Sequence, residues 1–166
     1  MTVHPAALPV DELLNECEIR RQRRSGPGGQ HRNKVETAVI IRHLPSGIEV
    51  QASERRSQEQ NRRVAIDRLR MQLACQVRTD ASEDPSPLWL QRCRGGRISV
   101  SKEHDDFPAV LSEALDCLYA CDLVLPSAAS RLGVSNSQLL KLLKRVPRAF
   151  ALMNDQRERR NMHRLK

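Results

Sequence analysis

The sequence has few aromatic residues and no long apolar run, and both shortages limit what the protein can be. Its only aromatic side chains are Trp89, Phe107, Tyr119 and Phe150. Modules that stack bases on an aromatic sheet, such as RRM and OB-fold domains, are therefore poorly supported. No stretch approaches the roughly 18 consecutive apolar residues of a membrane span, so no membrane partner is predicted.

The cysteines exclude further classes. There are five of them, an odd number, and no C-x-x-C pair occurs, which argues against a disulfide framework and a zinc ribbon. We expect reduced thiols, no metal site and no cofactor. The first 14 residues lack the order of a signal peptide, and Asp11 and Glu12 are wrong for a mitochondrial transit peptide. These features predict a cytoplasmic protein, which we expect to be a monomer.

Positive charge is abundant and unevenly distributed. The chain carries 28 Lys and Arg against 20 Asp and Glu, for a net charge of +8. Residues 20–78 and 141–166 are basic, whereas residues 79–140 are acidic. The excess predicts a polyanionic partner, with nucleic acid as the leading candidate and phosphate contacts dominating. The predicted segments are an N-terminal extension (1–15), a small domain (16–78), an acidic linker (79–105), a helical segment (106–150) and a basic tail (151–166).

The small domain contains strand and turn signals. The short polar stretch 18–24 fits a strand, and the glycine-rich stretch 25–30 must then be a loop. Residues 37–44 include a β-branched run typical of a strand, and Pro45, Ser46 and Gly47 form a turn. Apolar residues then alternate with polar ones at Ile48, Val50 and Ala52. The pattern predicts a hairpin with one buried face.

A long helix should follow the hairpin and cover it. Ser57 can cap this helix, and Gln60 would complete a capping box. The predicted apolar stripe is Ile66, Leu69, Leu73 and Val77. Together, the hairpin and helix predict an α+β class, with a small sheet packed on a long helix, an extended loop and an all-α C-terminal segment.

The C-terminal segment has helical periodicity. Asp106 can cap a helix whose apolar stripe is Val110, Leu111, Ala114, Leu115 and Leu118. Residues 125–145 have the spacing of a helix-turn-helix, with Gly133 at the turn. An ordinary αα-hairpin with a glycine cap after Leu132 fits the same residues, and the pattern does not separate the two. Residues 97–101 could form an edge strand whose partner the pattern does not identify.

The glycine-rich loop contains nothing apolar to bury. Gly28 and Gly29 allow positive φ and a close approach of the backbone to a ligand. The run around them resembles the GGQ signature of class I peptide-chain release factors and of smaller ribosome-rescue factors: Arg24-Ser25-Gly26-Pro27-Gly28-Gly29-Gln30-His31-Arg32-Asn33-Lys34. Three more blocks match that family in order: Thr37-Ala38-Val39, then His43-Leu44-Pro45-Ser46-Gly47-Ile48, then Arg56-Ser57-Gln58 with Asn61, Arg62 and Ala65. Arg32 departs from the small apolar residue that is commoner at its position.

The resemblance implies hydrolysis of the peptidyl-tRNA ester in the peptidyl-transferase centre of the ribosome. Gly28, Gly29 and Gln30 would be the catalytic residues, with the P-site peptidyl-tRNA and large-subunit rRNA as partners, and a methyltransferase could modify Gln30. Full-length release factors are about twice as long and carry a codon-reading domain, for which these 166 residues leave no room. We therefore expect codon-independent rescue of stalled ribosomes.

Basic residues in two places are candidate RNA contacts, because phosphates demand counter-charge. They are Arg20, Arg21, Arg23, Arg24, Arg32 and Lys34 around the loop, and Arg157, Arg159, Arg160, Arg164 and Lys166 in the tail. We expect the tail to be disordered or loosely helical until it binds RNA, and the resemblance implies that it enters the mRNA channel. The alternative function is a non-catalytic nucleic-acid-binding protein that uses the helix-turn-helix-like segment.

Overall fold

The computed structural model describes residues 3–22 and 38–166. The chain divides into two compact units. We call residues 8–73 the sheet unit, and residues 1–7 together with residues 74–166 the helical unit. The two units contain strands and helices respectively as their main elements, so the predicted α+β class is confirmed.

The sheet unit is built on three antiparallel strands. Helix α1 (Val10–Asn15) leads into β1 (Cys17–Gln22), which pairs with β2 (Ala38–His43), and β2 pairs with β3 (Glu49–Ala52). The strand order is β1-β2-β3. The long helix α2 (Gln58–Gln76) follows.

The central strand explains how this sheet is held. Its residues Val39 and Ile41 are buried, as are Val50 and Ala52 on β3. Burial of these β-branched and small side chains on one face is what the alternation predicted. The predicted hairpin between β2 and β3 is confirmed, and Gly47 at its turn has a φ of +70°, a conformation that glycine adopts without strain.

Helix α2 begins where the sequence predicts. The Ser57 hydroxyl accepts a hydrogen bond from the Gln60 amide at 3.5 Å, and Ile66, Leu69 and Leu73 are buried. Val77 does not belong to the helical stripe, because the helix ends at Gln76. In the sheet unit the Arg68 side chain reaches the Gln51 carbonyl of β3, which ties the helix to the hairpin as expected.

The helical unit contains five further α-helices and a two-stranded hairpin among its described residues. After a 3-10 turn at Pro5–Ala7, its elements are α3 (Pro87–Arg92), β4 (Cys93–Arg94), β5 (Arg97–Ile98), α4 (Phe107–Ala120), α5 (Leu125–Arg131), α6 (Asn136–Lys144) and α7 (Pro147–Arg159). The 3-10 turn packs against α4, and α4 packs against α5. The apolar stripe predicted for α4 is buried along its length.

The range 79–105, predicted as an acidic linker, contains α3 and the hairpin. Ser86 caps α3, because its hydroxyl accepts a hydrogen bond from the Trp89 amide at 3.0 Å. The hairpin turns at Gly95 and Gly96, whose φ values of +56° and +72° are those that a two-residue type I′ turn requires. Strand β4 is the partner that the pattern at residues 97–101 did not identify.

The turn between α5 and α6 has a well-defined geometry. Gly133 has a φ of +64°, its amide bonds to the Ser130 carbonyl, and the Val134 amide bonds to the Ala129 carbonyl. These two bonds form a Schellman motif, in which a glycine just beyond the helix satisfies its last carbonyls. The motif is compatible with both interpretations of this segment, a helix-turn-helix and an αα-hairpin.

Asp106 precedes α4 as predicted, but its side chain does not cap the helix. Its carboxylate instead binds the Arg92 guanidinium, with distances of 2.6 and 2.7 Å. An ion pair of this geometry outcompetes a bond to a backbone amide, because both groups are charged. None of the helices in residues 3–22 and 38–166 is long and apolar enough to cross a membrane.

Candidate functional site

The glycine-rich loop connects the first two strands of the sheet unit. Gln22, the last residue of β1, lies opposite Ala38, the first residue of β2, in the antiparallel register. Backbones paired in this way are about 4.5–5.5 Å apart. The connection over residues 23–37 therefore leaves and re-enters the sheet at neighbouring points.

The predicted catalytic residues Gly28, Gly29 and Gln30 lie outside the described residues. The same holds for the predicted RNA contacts Arg23, Arg24, Arg32 and Lys34. What the structure describes is the framework that holds both ends of the loop.

Two predicted RNA contacts lie on β1, close to the first root of the loop. Arg20 and Arg21 are exposed. The Arg20 guanidinium lies 3.4 Å from the carboxylates of Glu18 and Glu49, across the outer face of the sheet. Exposed ion pairs contribute little to stability, so these bonds can be exchanged for contacts with phosphate at small cost.

The opposite end of β2 is fixed by a buried histidine. The Ser46 hydroxyl lies 2.7 Å from Nδ1 of His43, and the Glu16 carboxylate lies 3.1 Å from Nε2 of the same ring. The turn also bonds through its backbone, because the Gly47 amide donates to the His43 carbonyl at 2.8 Å. His43 therefore joins the hairpin turn to the segment that precedes β1.

Ser46, His43 and Glu16 are connected by hydrogen bonds in the way that a Ser-His-Glu hydrolase triad is connected. Here, however, these bonds hold the hairpin turn. The Ser46 hydroxyl also accepts the Ile48 amide at 3.3 Å, and the residue is only three positions from His43. A hydroxyl that holds its own turn through two bonds is placed to define backbone geometry. Glu16 was missed by sequence reasoning, since it lies 27 residues from His43 and no local pattern connects them.

The segment between β3 and α2 is held by a buried asparagine. Asn61 is fully buried; its Oδ1 accepts the Arg55 amide at 2.8 Å and its Nδ2 donates to the Arg55 carbonyl at 3.0 Å. This pair of bonds fixes the chain where it enters α2. The asparagine of the Asn61-Arg62 block therefore has a physical role that the sequence pattern only located.

An exposed ion pair reinforces the same place. The Arg68 guanidinium binds the Glu54 carboxylate at 2.5 Å and also the Gln51 carbonyl. The hydrogen bond from Arg68 lowers the pKa of Glu54 to about 2. Glu54 thus remains charged at neutral pH, and the pair links the last strand of the sheet to α2.

The basic tail is ordered, contrary to the prediction that it is disordered or loosely helical. Helix α7 continues to Arg159, and the Arg157 guanidinium is buried against the carbonyls of Leu123 and His163. A polar side chain with carbonyl partners on two segments is well satisfied inside a fold. Arg157 is therefore not available as an RNA contact in this structure.

The other predicted RNA contacts of the tail, Arg159, Arg160, Arg164 and Lys166, are exposed. Arg160 pairs with Asp122 at 3.3 Å, and Arg164 pairs with Glu158 at 2.8 Å. Arg159 and Lys166 are exposed and make no ion pair with any residue in the described ranges. Ion pairs with carboxylates and the buried Arg157 hold the tail in place. The bond from Arg157 to the Leu123 carbonyl could not be predicted from the sequence.

Two polar side chains at the start of α6, in the helix-turn-helix-like segment, are engaged within the protein. The Ser135 hydroxyl caps α6 by accepting the Gln138 amide at 3.2 Å. The Gln138 side-chain oxygen accepts the Ile98 amide of β5 at 3.3 Å. Ser135 and Gln138 are thus engaged within the helical unit, whereas Asn136 and Ser137 are exposed.

The described framework defines a class: a small antiparallel sheet that carries a glycine-rich connection, with both loop roots paired and with its turns locked by buried polar side chains. Comparison with known proteins identifies the family. A family model described as the RF-1 domain matches residues 10–103, which include the whole loop and most of the sheet unit. The chain belongs to the RF-1 domain family.

Individual relatives are peptide chain release factors. The chain is 48% identical over 84 residues to peptide chain release factor 1 of Acidiphilium cryptum (strain JF-5), covering 49% of this chain and 24% of that protein. It is 33% identical over 133 residues to peptide chain release factor 2 of Buchnera aphidicola subsp. Baizongia pistaciae (strain Bp), covering 70% of this chain and 36% of that protein. The chain thus spans about a quarter to a third of the length of these relatives.

Proposed function

We propose that the protein hydrolyses the ester bond of peptidyl-tRNA in the peptidyl-transferase centre of the ribosome, through Gly28, Gly29 and Gln30. The observation that carries the proposal is the RF-1 domain match over residues 10–103, which contains these three residues. The names of the relatives, peptide chain release factors 1 and 2, agree with it. The paired strand ends beside the loop supply the anchor that such a reaction needs.

The chemistry of the loop is that of positioning. It offers no cysteine, carboxylate pair or metal set, so it supplies no strong base and no protein nucleophile. The backbone N–H of Gln30 can donate a hydrogen bond to the charge that develops on the ester or on the departing ribose oxygen. Loss of such a donor costs about 2.7–4 kcal/mol in other enzymes. Most of the catalytic apparatus would then be ribosomal RNA.

The Gln30 side chain has a second role in this proposal. It is uncharged and both donates and accepts, so it can orient an attacking water and exclude larger nucleophiles. Methylation of Gln30 by a methyltransferase belongs to the same proposal, because the modified side chain still has one N–H and its carbonyl. Mass spectrometry of the protein purified from its own cells tests this point directly.

Electrostatics supports an RNA environment at the loop. Arg20 and Arg21 at the first root continue into four further basic residues of the connection: Arg23, Arg24, Arg32 and Lys34. A tunnel lined by phosphates needs such counter-charge. The surface ion pairs of Arg20 do not compete strongly with phosphate, as argued above.

We extend the proposal to release without a stop codon, with the tail contributing RNA contacts in the mRNA channel. In this proposal Arg159 and Lys166 make the first contacts, because their charges are not engaged by other residues in the described part of the chain. Arg160 and Arg164 join once their exposed ion pairs exchange for phosphate. Arg157 stays in the fold and acts as the base from which the tail extends.

The decisive experiment is release of labelled peptide from purified ribosomes that hold peptidyl-tRNA. Three complexes that hold peptidyl-tRNA are compared: ribosomes on an mRNA without a stop codon, ribosomes with a stop codon in the A site, and isolated large subunits. Wild type is compared with Gln30→Ala, and Gln51→Ala serves as a matched control because that glutamine is exposed on β3. Ribosome binding is measured in parallel by co-sedimentation.

We expect Gln30→Ala to lower the release rate at least about a hundredfold while binding is retained, since the variant keeps the backbone N–H but loses the side chain that orients the attacking water. Gln51→Ala should behave as wild type. Release by Gln30→Ala at the wild-type rate would disprove the catalytic role of the Gln30 side chain. Release that requires the stop codon would disprove codon independence and leave the hydrolysis proposal standing.

A further inference from the structure

A cavity of about 350 Å³ lies in the helical unit, and none of the residues that the proposed function uses lines it. One wall is the segment 79–87, which crosses over α4, and we call this segment the strap. The floor comes from α4, including Ala109, and a further wall comes from Val3 and Ala7 near the N-terminus. Cavities of this size accept ligands or side chains of a partner.

The strap is held open by specific bonds to the helices beneath it. The Arg131 guanidinium donates to the carbonyls of Ala81, Ser82 and Glu83, the bond to Ser82 being 2.6 Å long. The Glu113 carboxylate accepts the Ser86 amide at 2.7 Å and the Ser86 hydroxyl at 2.5 Å. Because these bonds satisfy the backbone of the strap, the cavity is preformed.

The base of the strap is fixed as well. The buried Asp116 carboxylate binds the Arg78 guanidinium at 2.8 Å and accepts the Thr79 hydroxyl at 2.6 Å. His4 is also buried at the wall, and burial lowers its pKa, so the ring is neutral at pH 7. The strap is thus attached at both ends and its middle, and a ligand need not organise it.

The surface around the cavity is acidic although the whole chain is strongly basic. Its lining includes the carboxylates of Asp80, Glu83, Asp84, Glu113 and Asp116, against the single guanidinium of Arg131. The side chains of Asp80, Glu83 and Asp84 are exposed and pair with no cation among residues 3–22 and 38–166. Polyphosphate is repelled from such a rim, so RNA is a poor occupant.

An exposed apolar side chain lies beside these carboxylates. Val3 lines the cavity and is 63% exposed, although its valine side chain gains nothing from contact with water. The floor and walls of the cavity are apolar, and several separate carboxylates lie around it. An occupant that has an apolar group flanked by more than one cation matches both features.

From this complementarity we propose that the cavity under the strap is a docking site for a lysine- or arginine-rich polypeptide segment that inserts an apolar side chain. The apolar side chain fills the space between the strap and α4, and the flanking cations lie against Asp80, Glu83 and Asp84. Three separated carboxylates favour a polypeptide over a small amine, which would need only one of them. The site lies in the helical unit and is independent of peptide release.

The test uses the full chain and a fluorescent synthetic peptide in which phenylalanine and leucine are flanked by lysines. Binding is measured by fluorescence anisotropy at low and moderate salt. Two control peptides replace the lysines by glutamates or both apolar residues by alanine.

Two variants probe the site, and one controls for charge. Glu83→Gln with Asp84→Asn removes two rim charges without touching the bonds of the strap backbone. Ala81→Phe fills the cavity from its wall. Glu103→Gln with Asp105→Asn removes the same charge from exposed positions of the helical unit that do not line the cavity. Circular dichroism confirms the fold of each variant.

We expect the lysine peptide to bind, with affinity falling as salt rises. The rim variant should bind about three- to tenfold more weakly, Ala81→Phe at least about tenfold more weakly, and the charge control within about twofold of wild type. Amide NMR shifts should fall on the strap and the start of α4. Equal binding of the glutamate peptide, shifts confined to other elements, or an absence of binding would each overturn the proposal.

Discussion

The sheet unit and the helical unit differ in the distance along the chain over which most of their buried polar groups bond. In the sheet unit, His43 bonds to Ser46 three residues away and Asn61 bonds to Arg55 six residues away, although His43 also bonds to Glu16 27 residues away. In the helical unit, Arg157 bonds to Leu123 across 34 residues, and Trp89 bonds to Leu132 across 43. Local bonds leave a recognisable pattern in the sequence, whereas long-range bonds do not.

This difference matches the two functions that we propose. In the sheet unit, short-range polar bonds give a defined geometry to the turn between β2 and β3 and to the entry of α2. A unit that presents a preformed cavity needs helix ends and straps joined from distant parts of the chain. The following predictions test whether the two units really depend on these two kinds of bond.

The largest effect is expected at Trp89. This side chain is fully buried, and its indole N–H donates to the Leu132 carbonyl at 2.8 Å. Trp89→Ala should destabilise the helical unit by roughly 3–5 kcal/mol, because it leaves a large cavity and an unpaired carbonyl. Urea unfolding followed by circular dichroism measures the loss.

Hydrogen exchange locates that loss. Amides of the helical unit should lose protection, whereas the amides of Val39 and Ile41 in the sheet should keep theirs. Trp89→Phe is the control, and it should cost less because most of the volume remains. Equal loss of protection in both units would contradict the separation drawn here.

The next effect concerns Asn61, the short-range counterpart in the sheet unit. Asn61→Ala removes both bonds to Arg55 and should cost about 1–3 kcal/mol, since the amide and carbonyl of Arg55 lose their partner. Asn136→Ala is the matched control, because Asn136 is exposed at the start of α6 and its replacement should change stability by less than about 0.5 kcal/mol. Thermal unfolding distinguishes them, and similar losses in both variants would remove the special role of Asn61.

A pH-dependent effect is expected at His4. Its Nε2–H donates to the Val77 carbonyl at 3.1 Å, and its Nδ1 accepts the Ala6 amide at 3.0 Å, so the folded state holds a neutral ring. Burial lowers the pKa of His4 below the ordinary 6.5. The unfolded chain therefore takes up a proton first, and stability that is present above about pH 6.5 is lost as the pH falls toward the lowered pKa.

His4→Gln tests this assignment. The variant should be less stable than wild type at neutral pH, and its melting temperature should fall less between about pH 7.5 and 5.5. Parallel pH profiles for the two proteins would show that another group is responsible.

The smallest effect is expected at Asp122, at the end of α4. Asp122 has a φ of +52°, a left-handed conformation that costs free energy for any residue with a Cβ. Asp122→Gly should therefore stabilise the helical unit by roughly 0.5–1 kcal/mol, because the lost ion pair with Arg160 is exposed and worth little. Asp122→Ala should destabilise it instead. A stability change of the same sign in both variants, measured by urea unfolding, would contradict this account.

Much of the sheet unit could be predicted from the sequence. The β-branched run at β2, the turn at Pro45–Gly47 and the capping serine of α2 each act within a few residues, and the structure confirms all three. The hairpin register follows from the alternation, because a shift of one residue would expose the buried face. The error at Val77 is a matter of one residue at the end of a helix, where periodicity is least informative.

The helical unit was predicted less completely. Its helices follow from apolar periodicity, but the Asp106 side chain binds Arg92 instead of capping α4, and the tail folds back through Arg157. The charged composition of the tail predicted disorder. Composition does not reveal that the Leu123 carbonyl, 34 residues away, accepts a hydrogen bond from Arg157. The helix α3 also escaped notice, since its six residues are too few for a periodic pattern.

The sequence by itself determined the family of the protein and the position of its glycine-rich loop, because residue types at short spacing set turns, caps and strand alternation. Only the tertiary structure decided that the tail is ordered, that Glu16 supports His43, and that a strap over α4 leaves an acidic cavity. Those features depend on bonds between segments far apart in the chain. Such bonds arise from packing the whole unit at once, so no local pattern of residues records them.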